Sequence, residues 1–214
     1  MKGTQAVILI GAGGHARVLL DALALNQVAV LGLTDADQGK HGQLLEGSRV
    51  LGDDSVLERF APQTTLLVNA LGSTDTMRPR EQAYERLRAR GYRFMTVVHP
   101  SAVVAKSAQL GEGVQLMAGA IVQPGASVGD NSLVNTGAQL DHDCVVGRHV
   151  HVAPGATLSG AVRVGNASHI GTGATVVQRI TIGARCLIAA GAVVTADVAD
   201  AERVAGVPAR RIAA

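Results

Sequence analysis

A Val, Leu or Ile recurs at every sixth position along the stretch from Val98 to Ala199. The unbroken register consists of Val98, Val104, Leu110, Leu116, Val122, Val128, Val134, Leu140, Val146, Val152, Leu158, Val164, Ile170, Val176, Ile182, Ile188 and Val194. Four places after each of these comes a small or β-branched residue, for example Ala120, Ala138 or Ala156. A period of six fits neither a helix nor a simple strand alternation. It predicts short strands joined by corners and stacked as a parallel β-helix.

The residues before this repeat show the pattern of an α/β domain. Residues 6–10 predict an apolar strand that runs into the sequence GAGGHA, residues 17–25 have helical spacing, and residues 28–33 predict a second strand. This strand, turn and helix form a βαβ unit with a glycine-rich turn at the carboxyl end of its first strand. The domain is therefore predicted to be Rossmann-like.

Five more elements complete the predicted first domain. Residues 47–60 predict a short strand and a helix, and residues 64–73 predict a buried strand that ends in a turn with Gly72. Residues 76–90 predict an amphipathic helix with a solvated outer face, and Tyr92 to Val98 predict a strand that leads into the hexads. We therefore predict two domains, residues 1–97 and residues 98–214.

Composition narrows the classes of protein. The formal charge of +2 over 214 residues gives no basis for a nucleic-acid surface. The sequence has no apolar run long enough for a membrane span, and it predicts no signal peptide. Cys144 and Cys186 both fall on the inward small register, which predicts buried, reduced thiols and a cytoplasmic protein.

The glycine-rich turn has two interpretations. Gly11, Gly13 and Ala16 match a dinucleotide-binding fingerprint, and Asp35 follows at the place of a ribose-binding acid. A domain of this size leaves no room for a second mononucleotide-binding half, which argues against NAD. Free backbone N–H groups at the start of a helix bind any diphosphate, including that of a nucleotide-activated sugar. His15 either donates to a phosphate or is a surface residue at the start of the helix.

Histidines are concentrated in one part of the repeat. Four lie between Val134 and residue 169, namely His142, His149, His151 and His169. His142 falls on a hexad corner, where a side chain points outward, and it precedes Asp143. The same corner carries Gly160 one coil later, and Asn135 precedes His142 by seven residues. His151 and His169 are one coil apart and are expected to stack. Taken singly, each of the four histidines is more often a solvated surface residue, and only His142 stands out, because of its carboxylate neighbour and the glycine above it.

Several segments together resemble one family. They are IGAGGH, NALGS, HPSA, NTGAQLDHDCVVG and GVPARRI, along with hexads such as VGDNSL and IGTGAT. This set resembles the sugar O-acyltransferase family, which includes sialic acid O-acetyltransferases and the N-acetyltransferases that act on UDP-4-amino-sugars in bacillosamine synthesis. The resemblance implies a left-handed prism with three hexads per coil, and acetyl-coenzyme A (acetyl-CoA) as co-substrate.

The resemblance also implies roles for particular residues. His142 matches the general base, and Asp143 stands where bacillosamine enzymes carry Glu. The predicted substrate-binding residues are Gly11, Gly13, Gly14, His15, Asp35, Gly72 and Asn135. The predicted residues of the acetyl-CoA groove are His151, Gly160, Thr172 and Ala190. Two further positions depart from the family pattern, since Ala36 replaces a second acid of the nucleotide pocket and Ala190 replaces a glycine.

These observations predict an enzyme that moves the acetyl group of acetyl-CoA to the amine of a UDP-linked 4-amino-4,6-dideoxy-sugar, in the synthesis of a surface glycan or glycoprotein. Cys144 points inward, so the predicted transfer is direct, and no metal is expected. O-acetylation of sialic acid or another sugar is the main alternative. A γ-carbonic-anhydrase-like metalloenzyme is less favoured because no two histidines are five residues apart, and a non-catalytic trimeric scaffold is the third alternative.

Oligomeric state follows from the positions of two histidines. His142 and His151 are nine residues apart, which is half of an eighteen-residue coil. They are therefore expected on opposite sides of one prism, with its core between them. Because prisms that pack around a three-fold axis bring such sides together, we predict a homotrimer with its active sites at subunit boundaries.

Overall fold

The structure is a computed structural model that describes residues 6–73 and 76–213. It contains an α/β domain followed by a prism of stacked hexapeptide coils. The predicted fold class, a Rossmann-like domain followed by a left-handed parallel β-helix, is confirmed.

A six-stranded sheet flanked by two helices forms the α/β domain. Its strands are β1 (Ala6–Ile10), β2 (Ala29–Thr34), β3 (Leu44–Leu45), β4 (Ser48–Gly52), β5 (Leu66–Asn69) and β6 (Arg93–Phe94). Its helices are α1 (Gly14–Leu25) and α2 (Arg78–Ala89), and two 3₁₀ turns span Gln38–Lys40 and Asp54–Arg59. The strand order is β3-β4-β2-β1-β5-β6, and only the β3–β4 pair is antiparallel.

Spacing of apolar residues explains both helices. In α1 the buried positions Ala16, Leu19 and Leu23 recur at intervals of three and four, which gives one apolar stripe. In α2 the stripe is Ala83, Tyr84 and Leu87 on an otherwise charged helix. These stripes cover the sheet, so the predicted helical spacing of α1 and the predicted amphipathic character of α2 are confirmed.

Two-residue strands form the three faces of the prism. The first face contains β7 (Val97–Val98), β10 (Gln115–Leu116), β13 (Leu133–Val134), β16 (His151–Val152), β19 (His169–Ile170), β22 (Leu187–Ile188), β24 (Arg203–Ala205) and the antiparallel β25 (Arg210–Arg211). The second contains β8 (Val103–Val104), β11 (Ile121–Val122), β14 (Gln139–Leu140), β17 (Thr157–Leu158), β20 (Thr175–Val176) and β23 (Val193–Val194). The third contains β9 (Gln109–Leu110), β12 (Ser127–Val128), β15 (Val145–Val146), β18 (Arg163–Val164) and β21 (Thr181–Ile182).

Successive coils pair in parallel with a step of eighteen residues, as Gln115 does with Leu133. From Leu116 to Val194, the sixth-position residues form the apolar core of the prism. The small register fills the rest of the core, and both cysteines are buried and unpaired. The inward registers predicted from the period of six are thus confirmed.

The three corners of the prism differ in residue type although their backbones are alike. One corner is entirely glycine, with left-handed φ angles at Gly119, Gly137, Gly155, Gly173 and Gly191. A second, which we call the Asp143 corner, has the same conformation at Gly125, Asp143, Ala161 and Arg179. A third, which we call the His149 corner, has it at Asn131, His149, Ala167 and Arg185. Asn and glycine suit this region best, so the remaining side chains tolerate a less favourable conformation.

The α/β domain docks on the first face of the prism. Met117 and Leu133 join the same apolar cluster as Leu19 and Leu23 of α1. The docked face therefore buries outward-pointing residues that would be exposed on an isolated prism. Gln115, His151 and His169 are 0%, 5% and 6% exposed for this reason. The surface position that the sequence also allowed for His151 and His169 is not observed.

Several elements differ from the sequence-based expectation, including α1, which begins three residues earlier than predicted. Tyr92 to Val98 is not one strand, because β6 completes the α/β sheet and β7 begins the first coil. The predicted helix after β4 is a 3₁₀ turn, and α2 begins two residues later than predicted. The division of domains between residues 97 and 98 stays a prediction. Within the described ranges, neither α-helix has the length and hydropathy to span a bilayer.

Candidate active site

His142 and Asp143 form an exposed pair on the corner between β14 and β15. His142 Nδ1 lies 2.9 Å from Asp143 Oδ2, and the side chains are 61% and 67% exposed. The carboxylate accepts from the ring, so Nδ1 carries the hydrogen and Nε2 keeps a lone pair. This hydrogen bond raises the pKa of His142. The arrangement suits a general base, which must hold a proton transiently.

Gly160 lies directly beside the His142 ring, one coil further along the prism. A Cβ at position 160 would collide with the Nε2, Cε1 and Cδ2 atoms of His142. Only glycine leaves the ring in this position. The cleft around the pair has a volume of about 510 Å³ and includes Ser159 and Arg179. The predicted proximity of His142, Asp143 and Gly160 is therefore what the structure shows.

A cavity of about 440 Å³ lies between the two domains. Five predicted site residues line it. Four of them were predicted to bind the substrate, and the fifth, His151, was predicted to line the acetyl-CoA groove. The five are Gly14, His15, Gly72, Asn135 and His151. The cavity is also lined by Ser73, which was not predicted. Its walls come from the start of α1, the loop after β5 and the docked face of the prism.

His15 contacts the prism through one of its ring nitrogens. Its Nε2 lies 2.8 Å from the side-chain oxygen of Gln115, one hundred residues away. Burial and the charge of Arg80 lower the pKa of His15 to about 4, against a smaller opposing effect of Gln115. His15 is therefore neutral at pH 7.

His151 is held by two polar neighbours. Its Nδ1 lies 2.7 Å from Ser73 Oγ, and its Nε2 lies 3.1 Å from Asn135 Nδ2. The His169 ring packs edge-on at 4.8 Å between centroids, so the two rings are adjacent but perpendicular. Burial, then the neighbouring His169 and Arg80, lower the pKa of His151 to about 3. Such a ring resists protonation and is a poor general base.

Two predicted substrate residues lie at a different cavity. Gly11 and Asp35 line a space of about 990 Å³ on the other side of the glycine-rich turn. Asp35 accepts hydrogen bonds from the Ala12 N–H at 2.8 Å and from Lys40 Nζ at 3.0 Å. Burial alone would raise the pKa of Asp35, but the hydrogen bonds from Asp37, Lys40 and Ala12 together lower it. Asp35 thus fixes the turn as well as facing the cavity.

The predicted acetyl-CoA residues are spread over the prism. Thr172 and Ala190 are exposed and one coil apart, next to Gly173 and Gly191 on the glycine corner. Gly160 lies on the next corner, beside His142. Within one chain the structure does not bring these positions together with His151. Their common role stays a prediction that requires a second chain.

Sequence reasoning missed a polar network at the interface between the domains. Arg80 is fully buried and donates to the backbone oxygens of Asn69, Leu71 and Asn131. His149, 4% exposed, contacts Asn131 Nδ2 at 2.9 Å and Glu85 Oε1 at 3.0 Å. Helical spacing places Arg80 on the buried stripe of α2, but no periodic signal identifies its partners. Glu85 lies on the charged side of α2, where no periodic signal marks it.

Other chemistry has little support at these positions. Cys144 is buried, and burial raises its pKa, so it is a poor nucleophile. In the described ranges, no group of three or more His, Cys, Asp or Glu side chains is arranged to hold a metal ion. The exposed His142 is the residue with the geometry of a base.

Family models match both parts of the chain. Residues 6–87 match the PglD N-terminal domain. Residues 125–160 match the bacterial transferase hexapeptide family (six repeats).

Relatives are similar over different shares of their length. UDP-N-acetylbacillosamine N-acetyltransferase of Bacillus subtilis (strain 168) is 38% identical over 117 residues, which cover 52% of this chain and 51% of the relative. The chain thus spans about half the length of this curated relative.

Two solved structures match almost end to end. The acetyltransferase domain of PglB from Neisseria gonorrhoeae FA1090 is 36% identical, with a TM-score of 0.89, over 97% of this chain and 100% of that one. PerB from Caulobacter crescentus, solved with CoA and GDP-perosamine, is 38% identical, with a TM-score of 0.90, over 97% of each chain.

Proposed function

We propose that this chain transfers the acetyl group of acetyl-CoA to the amine of a nucleotide-linked amino-sugar. The chain belongs to the family of hexapeptide-repeat sugar acetyltransferases with a PglD N-terminal domain. The named activities of two relatives, UDP-N-acetylbacillosamine N-acetyltransferase and perosamine N-acetyltransferase, support this activity. The observation that carries it is the exposed His142–Asp143 pair beside Gly160. It is the arrangement expected of a base that faces two substrates.

Direct transfer fits the chemistry of this pair. The amine attacks the thioester carbonyl, His142 Nε2 accepts the amine proton, and Asp143 stabilises the charged ring. The new C–N bond replaces the C–S bond, and the protonated ring returns a proton to the departing CoA sulfur. Gly160 N–H, which bonds to no residue in the described ranges, is proposed to stabilise the oxyanion.

The acceptor is proposed to bind at the α/β domain. The N–H groups at the start of α1 suit its diphosphate, and the cavity that contains Asp35 suits its nucleoside. One relative is named for a UDP-sugar and another was solved with a GDP-sugar. Ala36, which replaces an acid of the bacillosamine enzymes, lines the same cavity. We retain the UDP-linked 4-amino-sugar as the first candidate and include GDP-linked sugars in its test.

We further propose a homotrimer in which each active site joins two chains. His142 lies across the prism from the cavity between the domains, with the apolar core in between. One chain therefore cannot present its own base to an acceptor bound in its own cavity. A second prism packed against the first supplies the missing side. The two free, buried cysteines are consistent with a proposed cytoplasmic location.

A substrate panel tests the activity. Acetyl-CoA is incubated with UDP- and GDP-linked 4-amino-sugars and with free sialic acid, and release of the CoA thiol is measured. We expect acetylation of at least one nucleotide-linked amine and none of sialic acid. Turnover of sialic acid alone would establish O-acetylation instead. Lack of both turnover and acetyl-CoA binding would favour the scaffold.

Mixed oligomers test the shared site. Chains with His142→Ala are combined with chains carrying His151→Ala, and mass spectrometry confirms that mixed trimers form. We expect part of the activity to return, because some boundaries then join two intact surfaces. If mixed trimers are present and activity stays at the level of the parents, the sites are not shared.

A further inference from the structure

Gln115 lies between the domains, and its side-chain amide contacts a backbone carbonyl and a histidine ring. Its Nε2 donates to the backbone oxygen of Asn69 at 2.8 Å, and its Oε1 lies 2.8 Å from His15 Nε2. A backbone carbonyl only accepts hydrogen bonds, so the amide nitrogen must face Asn69. The amide oxygen must then face His15. Because Gln115 is 0% exposed, no water competes for either contact.

The orientation of Gln115 selects one tautomer of His15. The amide oxygen is an acceptor, so His15 Nε2 must carry the hydrogen. A neutral imidazole has one N–H group, which leaves the lone pair on Nδ1. Arg80, whose Nη1 donates to Asn69 O at 2.7 Å, adds a fixed positive charge close by. Burial and this charge lower the pKa of His15 to about 4, so it is neutral at pH 7.

The lone pair of His15 is available to a ligand. Nδ1 makes no hydrogen bond with any residue of the described ranges. It is not among the buried nitrogens without a partner, which include Arg80 Nη2 and Arg203 Nε. Nδ1 is therefore reached by solvent, and the ring lines the cavity between the domains. The cavity offers an acceptor at this point of its wall.

The same reasoning assigns a donor to the opposite wall. Asn135 Oδ1 accepts from the Thr136 N–H at 2.8 Å, so Asn135 Nδ2 donates to His151 Nε2. His151 Nδ1 then carries the hydrogen and donates to Ser73 Oγ at 2.7 Å. The hydroxyl hydrogen of Ser73, which also lines the cavity, is left for another acceptor. The cavity thus presents a neutral acceptor, His15 Nδ1, and a hydroxyl donor, Ser73. A sugar, whose hydroxyl groups both donate and accept, matches this pair better than a phosphate, which only accepts hydrogen bonds.

We propose that His15 is a specificity-determining residue that accepts a hydrogen bond through Nδ1 from an O–H or N–H group of the acceptor's sugar, and that Gln115 is the positioning residue that selects this tautomer. The inference rests on the proposed function, since it assigns the sugar to the cavity between the domains. It replaces the expectation that the His15 side chain donates to a phosphate. Phosphate binding is left to the backbone N–H groups of the turn.

Nitrogen NMR of the full-length protein tests the tautomer without any substrate. In protein labelled with ¹⁵N-histidine, assigned with His15→Asn, we expect His15 Nδ1 to give an unprotonated, pyridine-type signal from pH 7 down to pH 5. Nε2 is expected to give the protonated, pyrrole-type signal. A protonated Nδ1 at pH 7 overturns the inference, whether or not acetyl transfer is detected.

Two substitutions separate an acceptor from a donor at position 15. His15→Asn keeps a carbonyl oxygen near the place of Nδ1, whereas His15→Lys offers only a cationic donor. With a UDP-linked 4-amino-sugar we expect His15→Lys to lower kcat/KM by about 10²-fold, because a hydroxyl or amine loses its acceptor. His15→Asn, which keeps an acceptor, should lower kcat/KM by only about tenfold. UDP alone should bind all three proteins equally, as measured by calorimetry. Weaker binding of UDP to both variants, or normal activity of His15→Lys, overturns the inference.

Gln115→Leu tests the positioning residue against a matched control. Gln109 also begins a Gln-Leu strand, but it is exposed and lies on the third face of the prism, not on the docked face. In Gln115→Leu we expect a protonated Nδ1 signal from His15 and a KM for the nucleotide sugar raised by about tenfold, with kcat little changed. Gln109→Leu should alter neither. If Gln115→Leu does not fold, Gln115→Met replaces it in the same experiment. If the folded variant keeps the tautomer of His15 and the KM of the wild type, Gln115 is not the positioning residue.

The experiments distinguish failure of the inference from failure of the proposed function. If no nucleotide-linked amine is acetylated, the proposed function fails, while the tautomer and the binding of UDP and GDP remain measurable. If acetylation occurs and the tautomer is wrong, only the inference fails.

Discussion

Two corners of the prism have the same backbone and opposite environments. Asp143 and His149 both adopt left-handed conformations, with φ of 60° and 58°, and each begins the approach to a hexapeptide strand. The Asp143 corner is open to solvent, and its His142 side chain is 61% exposed. The His149 corner packs against α2, and His149 is 4% exposed. The difference arises from docking of the α/β domain and not from the repeat.

The two environments shift histidine pKa values in opposite directions. The hydrogen bond to Asp143 raises the pKa of His142. Burial lowers the pKa of His149 in spite of the carboxylates of Glu81 and Glu85. A general base must be able to hold the proton, whereas a structural hydrogen-bonding residue must not change its state. The exposed corner therefore suits proton transfer, and the docked corner suits the binding of one domain to the other.

The largest expected effect comes from removing the exposed ring. His142→Ala should lower kcat by about 10²- to 10⁴-fold, which is the usual contribution of a general base. The free energy of unfolding should change little, because the side chain supports no core. Steady-state kinetics and urea unfolding measure the two effects. His99→Ala, whose ring bonds to Ser101 in its own turn, is the control and should retain activity. Wild-type turnover in His142→Ala would mean that the exposed corner is not the catalytic one.

The two histidines at the interface between the domains should make the fold sensitive to acid. The folded pKa of His15 is about 4 and that of His151 about 3, both below the ordinary value of 6.5. As pH falls below 6.5, the unfolded chain binds protons that the folded chain excludes, so stability decreases. Each ring contributes at most about 1.4 kcal/mol per pH unit, down to its folded pKa. Urea unfolding at pH 7 and pH 5 should show a loss of about 2 to 4 kcal/mol.

Variants assign this acid sensitivity to one region. His151→Asn should weaken the dependence of unfolding free energy on pH, because one of the buried rings is gone. His142→Ala should keep the full dependence, since its exposed ring has a raised pKa and little effect on folding. Equal pH dependence in both variants would remove the distinction between the exposed corner and the docked face.

The repeat could be predicted from the sequence because each position acts through its nearest coils. Val122, Leu140 and Leu158 face inward as the period of six requires, and Gly160 lies beside His142 because they are eighteen residues apart. The prediction did not extend to the docked face. Gln109 and Gln115 are equivalent in the period, yet only the second is buried.

The site at the interface depends on contacts between distant parts of the chain. His15 meets Gln115 one hundred residues away, and His149 meets Glu85 sixty-four residues away. No periodic signal connects such pairs, so the sequence allowed His149 as a solvated residue when it is buried. Which prism face is covered depends on the shape of the α/β domain. That shape is set by packing of α1 on the sheet and is not visible in the hexads.

Gly160→Ala changes the environment of the exposed ring without removing it. The new Cβ would displace His142, since it collides with the ring atoms and no left-handed φ complicates the substitution. We expect kcat to fall by about 10- to 10²-fold because the base is misplaced. The double variant with His142→Ala is the control. In the His142→Ala background, Gly160→Ala should lower kcat little further. If the two substitutions lower kcat additively, the glycine acts independently of the ring.

The smallest expected effect concerns the carboxylate that distinguishes the exposed corner. Asp143→Asn replaces the carboxylate whose hydrogen bond, and to a smaller extent whose charge, raises the pKa of His142, so this pKa should decrease. The base is active when neutral, and the acid limb of the kcat profile should therefore move to lower pH. The maximal rate should decrease by about tenfold, because a less basic ring accepts the amine proton less readily. Asp143→Glu restores the carboxylate and should return the limb to higher pH. A limb that stays in place in Asp143→Asn would show that the proton acceptor is another group, and the contrast between the two corners would then be structural and not catalytic.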